Sequence, residues 1–173
     1  DAFLYLHCNP TDHMGCNLYT VMEQSELKEG VDFMFPPEAY HNAGASIDVL
    51  NHIFNASDVY LTTTNGEGWG LNITSAASCK IPVIAPYNTS IIEMSGRNQW
   101  FFCLNNLQPC INHFDSMVRT RCDIDEIAYL LGVVCNYKDS VTQRVDEAYN
   151  YTQTISWNII CKQWIQIFEK IFF

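Results

Sequence analysis

The chain has 173 residues, nine Lys plus Arg against 19 Asp plus Glu, and a formal net charge of −10. That length suits one ordinary domain and is short for a two-domain enzyme. An apolar content of 48% with only eight Gly and six Pro argues against disorder, and the acidic balance repels phosphate backbones and anionic headgroups, which argues against nucleic acid as a partner. No apolar run approaches the roughly 20 residues of a membrane span, and the opening DAFLYLHCNP lacks a basic n-region, so the expectation is a cytoplasmic chain without a transmembrane segment.

In chain order, AFLYLH reads as a short strand and NLYTVMEQSEL as a helix, with Leu18, Met22 and Leu27 at helical spacing. VDFMF, closed by Pro36 and Pro37, is a second strand, and EAYHNAGAS reads as irregular. IDVLNHIFN places Ile47, Leu50, Ile53 and Phe54 on one helical face. DVYLTT is the next strand, followed by the glycine loop NGEGWG, a small-residue helix (TSAASC) and the strand IPVIAP. Next come a short helical SIIEM, an apolar WFFCL, and DIDEIAYLLGVVC, a helix with Asp123 and Glu126 spaced as a capping box. Two helices, around 140–151 and 157–172, close the chain. Strands thus alternate with helices, and IPVIA is apolar on both faces, as a doubly covered parallel strand should be. The expectation is a doubly wound, mostly parallel α/β sheet with helices on both faces, in one domain over 1–173.

Eight cysteines at 8, 16, 79, 103, 110, 122, 135 and 161 form no C-x-x-C pair, and several lie in apolar patterns. They read as reduced, mostly buried thiols rather than disulfides or zinc ligands. Sequons at Asn55, Asn72, Asn88 and Asn150 would suit a secreted chain; such tripeptides arise by chance in a sequence rich in Asn, Ser and Thr, and a glycan on Asn72 would block the site below. Histidines 7, 13, 41, 52 and 113 share no metal-ligand spacing. His7 ends the first strand and is read as a structural histidine, and Glu93 as a loop or cap carboxylate. No Ser-His-Asp or Cys-His set can be nominated from order alone.

The segment DVYLTTTNGEGWGLNITSA has the layout strand, glycine loop, helix N-terminus. In an open parallel sheet that is where ligands sit, because free N–H groups and the helix dipole favour an anion. Glycines allow close backbone approach, and Glu67 offers acceptors to sugar-type hydroxyls. On local pattern alone a tight turn is an equal alternative, and Trp69 can be a core aromatic, since the loop is neither G-x-G-x-x-G nor a P-loop.

The longer stretch ASDVYLTTTNGEGWGLNITSAASCKIPVIAP resembles, without a gap from Ala56 to Ala85, the signature of the GT-B-fold glycosyltransferases of family 4. TSIIEM, DIDEIAYLL and ISWNIICKQWIQIFEKI are similar to three further segments of that family, in the same order. The resemblance implies a Rossmann-like donor-binding lobe for a nucleotide-diphosphate sugar of the GDP-mannose or UDP-hexose type, retaining chemistry, no metal and no cofactor beyond the donor. It implies that Glu67 contacts the transferred sugar as the catalytic carboxylate. Gly66, Gly68, Trp69, Gly70 and Leu71 would lie against sugar and diphosphate, with Asn72 opening the helix behind. Phe35 and Pro36 fall where the family places the base. Ser75 stands where the second glutamate, which holds the ribose, is expected; a serine cannot clamp two hydroxyls as a carboxylate does.

Further implied partners are a sugar or glycan acceptor and an N-terminal lobe of the same enzyme, which this stretch lacks together with the family's Arg and Lys at the diphosphate. A helix dipole alone gives each phosphate about 1 kcal/mol, so the chain by itself is expected to be inactive, and any membrane association falls to the missing lobe. The stripe Ile160, Trp164, Ile167, Phe168 and Ile171, with Phe172 and Phe173 beyond, fits core packing or, in the resembled fold, contact with that lobe. The alternatives are a non-catalytic nucleotide-sugar-binding or interaction module, and a sugar-nucleotide hydrolase or epimerase on the same architecture.

Overall fold

The computed structural model describes residues 2–13, 15–96, 100–111, 116–136 and 138–172, without the side chains of 42 and 138. His113 and Phe173 lie outside the described residues. Packing divides the chain into two units, Asp1–Leu50 and Asn51–Phe173.

In the first unit, β1 (Leu4–Tyr5) pairs in parallel with β2 (Phe33–Met34). Between them α1 (Leu18–Gln24) starts on Asn17, whose Oδ1 accepts from the N–H groups of Tyr19 and Thr20 at 3.0 and 3.4 Å and so satisfies two donors that the first turn leaves open. Met22, Phe33 and Phe35 form the buried core of this unit. The stretch read as irregular contains a short helix, α2 (Ala39–Ala43). Pro36–Pro37 fixes the entry and His41 Nε2 donates to the Pro36 carbonyl at 2.9 Å, while Gly44 ends the helix at φ 71°. Such a local bond has no periodicity to betray it. The boundary between units falls within α3 (Ile47–Asn55).

The second unit is built on the sheet β3 (Tyr60–Leu61), β4 (Val83–Pro86) and β5 (Phe102–Leu104), all parallel with β4 central. Helix α4 (Leu71–Ser78) connects β3 to β4, and α5 (Thr89–Met94) connects β4 to β5. Successive crossovers of one hand in one direction put both helices on one face. There Ile73, Ala76 and Ala77 of α4 and Ile91 and Met94 of α5 pack on Val83, Ala85 and Cys103. The strand's period of two turns Ile84, Phe102 and Leu104 to the other face, against Val134 and Val141. Those two belong to α6 (Ile124–Asn136) and α7 (Lys138–Thr154). All four residues of β4 are buried, and each such Val or Ile contributes about 1.5–3 kcal/mol. The chain is thus the doubly wound, mixed α/β fold expected, with helices on both faces of a parallel sheet.

An antiparallel pair not expected from the sequence, β6 (Leu107–Ile111) and β7 (Val118–Cys122), follows the sheet. LQPCI and VRTRC alternate too weakly to signal strands, and Pro109 is tolerated because a two-stranded ribbon has open edges. Asp123 Oδ1 accepts from Glu126 N–H at 2.9 Å, the expected cap of α6. The Glu126 carboxylate accepts instead from the N–H groups of Asn105 and Asn106, at 3.1 and 2.9 Å, tying β5 to the start of the ribbon.

Helix α8 (Trp157–Phe172) buries none of its described side chains, and Trp164, Phe168 and Phe172 stack on one another along it. The stripe is therefore not core of this unit. The thiols also depart from expectation. All eight are free, but only Cys103 and Cys122 are buried, and Cys8, Cys16, Cys135 and Cys161 are exposed because they stand on solvent faces of loops and helices rather than within the apolar side of their pattern. Burial pushes the Cys103 thiol up to about 11, which keeps it protonated and unreactive. No helix among the described residues is long and apolar enough to cross a membrane.

Candidate functional site

The site lies in the second unit, where β3 runs through the loop 62–70 into α4. The loop is held by hydroxyls. Thr64 N–H donates to Thr62 Oγ1 at 3.3 Å, and Thr64 Oγ1 donates to the Gly66 carbonyl at 3.1 Å. Glu67 N–H donates to Thr89 Oγ1 at 2.9 Å, and Ser90 Oγ bridges the Glu67 and Trp69 carbonyls at 3.0 and 3.4 Å. Thr89 and Ser90 open α5, so the segment after β4 carries the loop after β3. Thr89 has a left-handed backbone, φ 43°, rare for a β-branched residue and costing about 1–3 kcal/mol. Buried Asn88 completes the support by donating Nδ2 to Thr120 Oγ1 of β7 at 2.8 Å. With that amide committed and buried, the sequon at Asn88 cannot carry a glycan in this fold.

Two glycines of the loop stand where a side chain would be crowded, and Gly70 more severely than Gly66. Gly70 is the residue before α4, at φ 87°, and a Cβ there would stand 2.9 Å from Met94 Cε and 3.0 Å from Ile73 Cδ1, both buried side chains. A Cβ on Gly66 would meet Thr89 Cγ2 at 3.1 Å. Gly68 faces open space.

Around this loop lies a cleft of about 370 Å³, lined by Tyr60, Glu67, Trp69, Gly70, Leu71, Asn72 and Ile73. The fold thus gathers Glu67, Trp69, Gly70, Leu71 and Asn72 of the expected site around one opening, with Gly66 and Gly68 in the same loop. Trp69 is exposed, so it is not the core aromatic that the local pattern allowed. Ser75 is an exposed residue one turn into α4, outside the lining. Phe35 and Pro36 belong to the first unit, where Phe35 is buried in that unit's core, edge-on to Tyr19 and Phe33. His7 is exposed there and hydrogen-bonds the Tyr5 hydroxyl at 2.9 Å. Among the described residues no group of His, Cys, Asp or Glu is arranged to hold a metal ion.

Tyr60, Thr89 and Ser90 were not legible as site residues. Tyr60 looks like an ordinary strand aromatic, yet its ring borders the cleft. Burial raises its phenol, the Glu67 carboxylate raises it further, and the Thr62 and Asn72 side chains pull it partly back. The hydroxyl is therefore a neutral donor at physiological pH, facing an acidic and an amide side chain. With Glu67 and Asn72 it offers both acceptors and donors, the complement of a polyhydroxylated ligand. The local signal for Thr89 and Ser90 is the hydroxyl pair that opens TSIIEM.

No family model matches the chain. It is 28% identical over 137 residues to "Uncharacterized protein 356" of Sulfolobus islandicus rod-shaped virus 1, covering 72% of this chain and 36% of that protein. Among solved structures it is similar to a chain of the GtfA/B complex, at 13% identity and a TM-score of 0.51 over 98% of this chain and 36% of the other. That likeness is one of fold. The chain spans 36% of the length of each of these two proteins.

Proposed function

We propose that residues 1–173 are the donor-binding, Rossmann-like part of a retaining glycosyltransferase that transfers a hexose from a nucleotide-diphosphate sugar of the GDP-mannose or UDP-hexose type. The observation that carries the reading is the cleft itself, in which the loop NGEGWG brings Glu67 beside Asn72 and Tyr60 at the carboxyl end of a parallel strand. Two likenesses support it: the ungapped resemblance from Ala56 to Ala85, and the fold shared with a chain of the GtfA/B complex.

In this reading the sugar lies against the glycine loop and Glu67 orients it, balancing the positive charge that develops at the anomeric carbon. The diphosphate leaves toward the N-terminus of α4, and one of its oxygens takes the proton of the acceptor hydroxyl on the same face. No metal is called on, and the donor is the only small molecule required. The acceptor site belongs to sequence beyond this stretch, against which the exposed stripe of α8 packs.

A second reading, a binding module without turnover, is favoured by Ser75, which offers no carboxylate and lies outside the cleft lining. The two part in one experiment on the full-length protein. Calorimetric titration with GDP-mannose and UDP-hexoses, followed by an assay of transfer and hydrolysis, should give donor binding together with turnover. Glu67→Ala should then cut turnover about a hundredfold or more, typical of losing a transition-state contact, while donor affinity changes much less. Binding with no turnover across acceptors selects the module, release of nucleotide without acceptor selects a hydrolase, and unchanged turnover in Glu67→Ala removes Glu67 from the chemistry.

A further inference from the structure

A strand turns its residues alternately to the two sides of the sheet, and β3 does so at the edge of the cleft. Val59 and Leu61 join the cluster on the α6 and α7 side, whereas Tyr60 lies on the α4 and α5 side, edge-on to Phe54 with 5.9 Å between ring centres. The neighbouring strands bring Val83, Ala85 and Cys103 to that same side, none of which carries a hydroxyl. Tyr60 does, and it lines the cleft.

The phenol is held in place from several directions. Tyr60 N–H donates to the Pro82 carbonyl at 2.9 Å and Thr62 N–H to the Ile84 carbonyl at 3.0 Å, which pins β3 to β4 on both sides of the ring's attachment. The Thr62 and Asn72 side chains hydrogen-bond its hydroxyl, and the Glu67 carboxylate faces it. Burial first and that carboxylate second hold the phenol protonated, so it has a proton to donate.

The cleft therefore joins a phenol and an amide, which donate and accept, to a carboxylate, which only accepts. Among the described residues of its lining Glu67 is the charged side chain, and none is a cation. That set suits hydroxyl groups. It disfavours a second carboxylate, whose charge would meet Glu67 with no countercharge beside it. In the proposed reading the phosphates turn to the N-terminus of α4, so the charge that matters beside Glu67 is that of the sugar.

We propose that Tyr60 is a specificity-determining residue of the cleft, its hydroxyl holding a hydroxyl of the ligand's sugar, and that this sugar is an uncharged hexose and not a uronic acid. The inference rests on the reading of the cleft as a nucleotide-diphosphate-sugar site. It adds a contact from strand β3 to those expected from the glycine loop.

The test is calorimetric titration of the full-length protein, as wild type, Tyr60→Phe and Glu67→Gln, with two matched sets of ligands: UDP, UDP-glucose and UDP-glucuronate, and GDP, GDP-mannose and GDP-mannuronate. Within a set the nucleotide is shared and the sugar differs. Tyr60→Phe keeps the ring on Phe54 and removes one oxygen. In the set that binds, wild type should take the neutral nucleotide sugar about tenfold or more tighter than its uronate. Tyr60→Phe should weaken the neutral nucleotide sugar about fivefold or more and leave the bare nucleoside diphosphate within about twofold of wild type. A merely weakened fold does not produce that split. Glu67→Gln should narrow the gap between hexose and uronate. Full affinity of Tyr60→Phe for the neutral nucleotide sugar, an equal loss for the bare nucleoside diphosphate, a uronate bound as tightly as its hexose, or a gap untouched by Glu67→Gln each overturns the inference, while wild-type binding of any of these ligands keeps the reading of the cleft. Wild type that binds none of them overturns both.

Discussion

The turn from β3 into α4 takes residues 62–70 and carries three glycines, whereas the turn from β4 into α5 takes only Tyr87 and Asn88. Both leave parallel strands of one sheet in the same direction. The long turn exposes Trp69 and borders the cleft; the short one buries Asn88 and turns Thr89 into a left-handed conformation. The first has the freedom to approach a ligand and little means of holding itself. The second has no freedom and provides the hydroxyls that hold the first. The loop that borders the cleft is thus stabilised by its neighbour, and its own glycines serve shape.

That division makes the effects of substitution unequal. The largest is expected at Gly70, where loop meets helix. Gly70→Ala combines a positive φ with a methyl 2.9 Å from Met94 Cε. The Met94 tip could swing aside on the surface, but it is buried and must displace the core around Ile73 and Ile91. A loss of about 2–3 kcal/mol is expected from backbone strain and overpacking together, read from urea unfolding. A wild-type midpoint would mean that the left-handed turn before α4 is not what fixes the loop.

Asn88→Ala should come next. It empties a buried position and leaves the Thr120 hydroxyl without its 2.8 Å donor, for a cost of about 1–3 kcal/mol. The comparison adds a sharper expectation: because Asn88 ties the ribbon to the short turn whose Thr89 holds Glu67 N–H, the variant should weaken nucleoside-diphosphate binding although Asn88 is not among the residues that line the cleft. Full affinity at reduced stability would sever the ribbon from the site.

The sheet and the long turn were legible in the sequence, the short turn and the ribbon were not, and the reason is physical. β4 is apolar at every residue because both faces are covered, which is a pattern visible in four letters. Glycines mark the long turn because few other residues take its conformations. Thr89 and Asn88, in contrast, work through single hydrogen bonds to residues 22 and 32 positions away, and such pairings leave no periodicity. β7 shows the same limit: VRTRC is too polar to read as a strand, and its register with LQPCI exists only once the ribbon closes. Amphipathicity misleads in the other direction at α8, whose stripe is clear in sequence and buried nowhere in its own unit. The pattern states that a face is apolar and is silent on what covers it.

Thr89→Val tests the support at its smallest useful scale. Valine keeps the branched shape and the left-handed backbone and removes only the oxygen that accepts from Glu67 N–H. Stability should fall by about 0.5–1.5 kcal/mol. Faster amide exchange at Glu67 should accompany it, measured by hydrogen exchange, because that N–H then has only solvent.

The weakest effect is expected within the glycine run itself, at Gly68. A Cβ there meets nothing within 4 Å, and its backbone is outside the left-handed region that Gly70 occupies. Gly68→Ala should therefore leave unfolding within about 0.5 kcal/mol of wild type, as for an unconstrained surface position, or stabilise slightly by restricting the unfolded chain. If the glycine is there for the ligand, the same methyl should lower donor affinity in calorimetry, since it would project into the space that a bound sugar diphosphate requires. Stability unchanged with affinity reduced separates the glycine that serves the ligand from the two that serve the fold. Affinity also unchanged would move the ligand off the main chain at 68 and leave Glu67 and Trp69 as the contacts of that part of the loop.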